Sequence, residues 1–74
     1  MTVQQMTDIA TRVLAERHCE LDCPPHLDGP GGPTWEIWYR CNGVSRKAFF
    51  DNLDDLELAE RLFRDVVKIG LGQN

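Results

Sequence analysis

Nothing in this chain approaches the roughly 18 consecutive apolar residues that a membrane-spanning helix needs. Its opening, MTVQQMTDIATRVLAERH, has no basic stretch followed by an apolar run. These absences make a soluble, cytoplasmic chain the expectation. Positive charge is scarce as well: eight Lys and Arg against twelve Asp and Glu give a formal net charge of -4. That is the wrong sign for a broad surface that neutralises phosphates, so direct nucleic-acid binding is not expected. Catalytic signatures are also missing, with no phosphate loop, no H-E-x-x-H helix and no Rossmann glycine pattern. A Cys19 or Cys23 thiol near His26 can be drawn as nucleophile and base. They lie on a Pro/Gly stretch with no rigid element to hold near-attack geometry, and the chain reads as non-enzymatic.

Cysteine is sparse and odd in number, three in all. Without an export signal the expectation is thiols or metal ligands in a reducing compartment rather than stable disulfides. With 74 residues the chain allows one domain, residues 1–74, whose core is thin. Domains of this size lean on a metal, a disulfide or a second subunit.

What is present is organised around Thr34 to Asp51, TWEIWYRCNGVSRKAFFD. Asn42-Gly43 is the dipeptide that best takes the positive φ values of a type I′ turn, which predicts a hairpin over 34–51 with its turn at 42–43. A two-residue loop fixes the register: Cys41 opposite Val44, Tyr39 opposite Arg46, Ile37 opposite Ala48, Trp35 opposite Phe50. That face is mostly apolar. The other face pairs Arg40 with Ser45, Trp38 with Lys47 and Glu36 with Phe49, so two aromatics stand where a two-layer domain expects polar groups.

Around the hairpin, Met6, Ile9, Ala10, Val13, Leu14 and Arg17 recur at helical spacing and predict a helix over about 2–19, capped by Thr2 or Thr7. The stretch ELDCPPHLDGPGGP over 20–33 has four prolines and three glycines and reads as a long loop. Leu56, Ala59, Leu62, Phe63, Val66, Val67 and Ile69 form the stripe of a second helix over about 53–69. Asn52 is its expected N-cap, Gly70 its left-handed C′ residue and Leu71 the C″ residue, with Gln73 and Asn74 frayed. The hairpin needs cover, and the two helix stripes supply it on one face. The predicted fold is α+β, an α-β-β-α two-layer sandwich.

Three constellations carry functional expectations. Trp38, Arg40, Lys47 and Phe49 form a patch suited to binding a protein partner or a second copy in a homodimer, since aromatics beside arginine carry interface energy. Cys19, Cys23 and His26, in C-x3-C-x2-H spacing, with Cys41 as a fourth ligand, suit a zinc ion that staples the loop to the hairpin; otherwise no cofactor is expected. Asp54, Asp55, Glu57 and Glu60 form an acidic surface that can dock on a basic groove by imitating phosphates. In size and charge the chain resembles the small acidic inhibitors that phages and mobile elements make against host nucleic-acid machinery, CRISPR effectors included. The element order is also similar to that of a double-stranded-RNA-binding domain. Such domains bring lysines to the start of the last helix, where this chain has Asn52-Leu53-Asp54-Asp55.

Overall fold

The computed structural model describes residues 1–28 and 34–72. Its elements, in order, are α1 (Val3–Ala15), β1 (Cys19–Leu21), β2 (His26–Asp28), β3 (Thr34–Cys41), β4 (Val44–Asp51) and α2 (Leu56–Gly70). The fold is α+β, with both helices packed against one face of an antiparallel sheet.

The β3-β4 hairpin holds the register that its turn dictates, with all eight pairs from Cys41↔Val44 to Thr34↔Asp51 in place. Asn42 and Gly43 both have positive φ, 53° and 78°, as a type I′ turn requires. Odd-numbered β3 residues therefore point inward with even-numbered β4 residues. Trp35, Ile37, Tyr39, Cys41, Ala48 and Phe50 are buried together. Trp35 also donates its indole N-H to Asn52 Oδ1 at 3.2 Å, which keeps its polar end satisfied inside an apolar core.

The expected loop over 20–33 is instead partly strand. Cys19, Glu20 and Leu21 pair with Cys41, Arg40 and Tyr39, while His26, Leu27 and Asp28 pair with Glu36, Trp35 and Thr34. Both short strands lie on the same edge of β3, so they form one edge strand interrupted by Asp22-Cys23-Pro24-Pro25. The physical reason is that β3 has a full row of unpaired backbone groups on that side, and an edge strand needs to supply donors on one side only. Pro24 and Pro25 fall in the interruption, where no ladder bond is lost; Asp22 N-H still reaches Trp38 O at 2.9 Å. The remainder of the expected loop, residues 29–33, lies outside the described residues.

The α1 helix starts at a capping box. Thr2 Oγ1 accepts from Gln5 N-H, and the Gln5 side chain accepts from Thr2 N-H. Met6, Ile9, Ala10, Val13 and Leu14 are buried as their spacing predicts. The helix ends at Ala15 rather than near Cys19, because His18 turns the chain with φ of 58° and Cys19 enters the sheet. In α2 the cap is Asp55, whose carboxylate accepts from Leu58 N-H, and not Asn52, whose side chain is spent on Trp35. The C-terminal end is also shifted: Gly70 is still helical, Leu71 is the C-cap and Gly72 takes the left-handed position with φ of 72°. A Cβ on Gly70 would stand 2.9 Å from the Tyr39 hydroxyl, so this glycine serves close packing. Gln73 and Asn74, expected to fray, lie outside the described residues.

Ala59, Phe63 and Val67 are the fully buried part of the α2 stripe, and Phe63 meets Phe50 with ring centroids 5.6 Å apart. Such a pair adds about 0.5–1.5 kcal/mol beyond area burial. Leu56, Leu62 and Ile69 stay exposed, so the stripe read from the sequence is wider than the core it covers. The helices run side by side in the same direction: Arg12 pairs with Glu60, and Arg64 forks onto Glu16 at 2.9 and 2.8 Å.

The cysteines depart most from expectation. Cys19 and Cys41 form a disulfide, while Cys23 is the free thiol. The two sit opposite each other across β1 and β3, with Cα atoms 4.5 Å apart. That is the spacing of a non-hydrogen-bonded antiparallel pair, the site where cross-strand sulfurs meet without backbone movement. The bond closes a segment of sequence separation 22, for which chain entropy gives about 3 kcal/mol. Reduction, or Cys19→Ser with Cys41→Ser, is expected to lower unfolding free energy by about that amount in urea titrations. A midpoint unchanged by reductant would contradict it.

Candidate functional site

The face of the sheet opposite the helices carries the even residues of β3 and the odd residues of β4. Trp38, Arg40, Lys47 and Phe49 all lie on it. The Lys47 ammonium sits 4.8 Å from the Trp38 ring centroid and 5.1 Å from that of Phe49, so one cation bridges two aromatic faces. Trp38 donates its indole N-H to Glu36 Oε1 at 2.8 Å. Together these contacts fix the Trp38 ring against the sheet and leave it half-buried, whereas Phe49 is 54% exposed. Cation-π contacts at wet sites contribute roughly 0.5–1 kcal/mol each. The result is a preordered aromatic surface, which lowers the entropic cost of binding.

Arg40 stands at one end of this surface. Its guanidinium meets Asp22 Oδ1 at 2.8 Å, and Ser45 Oγ donates to Asp22 Oδ2 at 3.0 Å. Asp22 is thus shared by three strands' worth of outer face, and it answers part of the Arg40 charge. Sequence reading placed Arg40 correctly on its strand and missed Asp22, because the contact exists only once β1 has docked on β3. Glu36 was legible: it lies two residues before Trp38 on one strand, hence on the same face.

The zinc set of Cys19, Cys23, His26 and Cys41 does not assemble. Cys19 and Cys41 are spent on one another inside the helix-facing layer, so neither offers the thiolate a zinc ion needs. Cys23 Sγ and His26 Nε2 come within 4.0 Å of each other at the edge of the outer face. Among the described residues, no group of three or more His, Cys, Asp or Glu side chains is placed to hold a metal ion. No described helix is long and apolar enough to cross a membrane.

The acidic constellation is also changed by its neighbours. Asp54, Asp55 and Glu57 are exposed at the start of α2, with Asp55 committed as N-cap. Glu60 is turned toward α1 and held by Arg12 and Arg64. Hydrogen bonding from Arg12 is the main cause holding the Glu60 carboxyl below its ordinary range, with Arg64 adding to it. Glu16 is lowered mainly by its hydrogen bonds from Arg64. Of the four acids expected to imitate phosphates, one is neutralised and another caps its own helix.

Two grooves flank the sheet. One of about 450 Å³ lies at the disulfide end, between Arg17, His18, Asn42 and Arg46. There Arg46 donates to Gly70 O at 2.6 Å, placing a cation at the negative end of α2. Beside it, burial raises the Tyr39 phenol above its ordinary range. The second groove, about 420 Å³, opens between the free edge of β4 and α2 and is lined chiefly by Phe49, Leu53, Leu62, Val66 and Ile69. The sequence stripe assigned Leu62, Val66 and Ile69 to the core; Val66 is partly buried and packs against it, while Leu62 and Ile69 are exposed.

Lowered carboxyl values in the fold mean stability that is present above the unfolded carboxyl range and lost as pH falls through the folded values. Urea midpoints are therefore expected to drop as the pH falls below the ordinary carboxyl value of 4.5 in the wild type. Arg64→Gln, which removes the partner of Glu16 and one partner of Glu60, should flatten that drop. An equally steep decline in the variant would refute the assignment.

No family model, curated protein or solved structure matches this chain, so its geometry carries the functional reading.

Proposed function

We propose that the chain is a non-catalytic protein-interaction module that binds a larger protein or a second copy through the outer face of its sheet. The contact residues are Trp38, Lys47 and Phe49, with Arg40 at the rim. The single observation that carries this reading is the Lys47 ammonium held between two aromatic rings on a sheet face that neither α1 nor α2 covers. An apolar surface ordered in advance and left open is what an interface anchor needs. The desolvated centre is supplied by Trp38 and Phe49, and orientation by the Arg40 and Lys47 charges.

The inhibitor reading, in which Asp54, Asp55, Glu57 and Glu60 imitate phosphates, draws less support because Arg12 and Arg64 already answer Glu60. It stays as the competing outcome of the test. The reading keeps the cytoplasm as the setting, where the Cys19-Cys41 bond is open to reduction; an oxidising compartment would keep it closed.

Capture from the native host's lysate with four baits, read by mass spectrometry, separates the readings. Wild type and the double variant Asp54→Lys/Glu57→Lys are expected to retain the same partner, while Trp38→Ser and Phe49→Ser lose it by roughly tenfold or more. Retention by Trp38→Ser with loss by the charge-reversed bait would overturn the outer-face reading in favour of the acidic surface.

A further inference from the structure

The two edges of the sheet are guarded very differently. On the β1/β2 side the edge is made of two three-residue strands broken by Pro24 and Pro25, which is how natural sheets blunt an edge. On the other side, β4 is eight residues long, contains no proline, and among the described residues pairs only with β3. The hairpin register settles which of its backbone groups are free. Cys41↔Val44 flanks a two-residue turn and is a hydrogen-bonded pair, so Val44, Arg46, Ala48 and Phe50 bond to β3. Ser45, Lys47, Phe49 and Asp51 therefore aim their N-H and C=O groups outward.

Beneath this edge, on the helix side, Leu62, Val66 and Ile69 follow i, i+4, i+7 spacing on α2 and line the groove that ends at Phe49 and Asp51. Ile69 is 73% exposed. They form a second apolar stripe beside the buried one, aimed past β4. An open strand edge and an apolar helix stripe thus lie one above the other on one side of the molecule.

We propose that this side is a two-fold interface with a second copy of the same chain, β4 pairing antiparallel with its counterpart while the two α2 helices pack side by side beneath. The groups along the edge are self-complementary. With the axis at Phe49, that ring faces its symmetry mate and Lys47 falls opposite Asp51 of the other copy, twice over, so each edge cation meets an edge anion. The same axis brings the two grooves together, covering Leu62, Val66 and Ile69. A three-strand-wide sheet becomes six wide, with its outer face continuous.

A stable interface takes about 800 Å² from each partner, about a sixth of the 4663 Å² surface of this chain. The long side of a molecule 34 × 21 × 20 Å is of that order. The inference goes beyond the outer-face reading: it adds the strand edge and α2, draws Lys47 and Phe49 from that patch into the two-fold contact, and leaves Trp38 and Arg40 uncovered for another partner.

Sedimentation equilibrium of the full chain tests it. The wild type is expected at twice its 8.5 kDa mass at micromolar concentration. Ile69→Arg should give a monomer with unchanged circular dichroism and melting, because the side chain is outside the monomer core. Lys47→Asp and Asp51→Lys should each weaken the dimer roughly tenfold or more through like-charge contacts, and the double swap should restore it. A wild type that remains a monomer at roughly 100 µM overturns the proposal, whatever host capture shows. A dimer that survives Ile69→Arg, or single variants not rescued by the swap, overturns this arrangement. Trp38→Ser should leave the dimer intact, so its loss of partner capture reports on the outer face alone.

Discussion

Every feature of this protein is referred to the alternation of side chains along β3. One strand, paired on both edges, sends Trp35, Ile37, Tyr39 and Cys41 into the layer beneath the helices and Glu36, Trp38 and Arg40 to the other face. Because the period is two, a slip by one residue would carry Trp38 into the core and Trp35 out of it. The Asn42-Gly43 turn prevents that slip on one side, and the Cys19-Cys41 bond opposes it on the other. A thin core thus has its register fixed from both edges.

That frame also decides how the charges are used. Arginines are assigned by position to separate tasks: Arg12 and Arg64 tie the helices together, Arg46 meets the end of α2, and Arg40 answers Asp22. Lys47 alone is set between rings. The uncovered face is therefore aromatic at its centre, with Arg40 and Lys47 set among Glu20, Asp22, Glu36 and Asp51, and further acids stand at the start of α2. Net charge would have pointed to the helix as the contact surface. The pairings shift the case to the sheet, since an acid already held by two guanidiniums is a poor phosphate mimic.

Several elements are legible in the sequence. The hairpin, its register and its buried face followed from a dipeptide and an alternation, both local properties. The first helix stripe was equally plain. The cap of α2 was not, because Asn52 and Asp55 are equivalent by type and only tertiary contacts, from the Trp35 indole N-H and the Met1 ammonium to Asn52, distinguish them. The edge strands were hidden by their prolines, which argue against a central strand and say nothing against an edge. The zinc set failed for a related reason: spacing along the chain brought Cys19 near Cys23, whereas strand pairing brought it to Cys41.

The sequence by itself determined the hairpin, the two amphipathic helices and which β3 and β4 residues share a face, because turn chemistry and side-chain periodicity act over a few residues and need no partner. Only the tertiary structure decided that Cys19 meets Cys41, that Asp22 holds Arg40, and that Leu62 and Ile69 lie beyond the core beside an open strand edge. Those outcomes depend on where distant segments dock, and the docking is set by the unpaired backbone of β3 and by the width of the sheet that the helices have to cover.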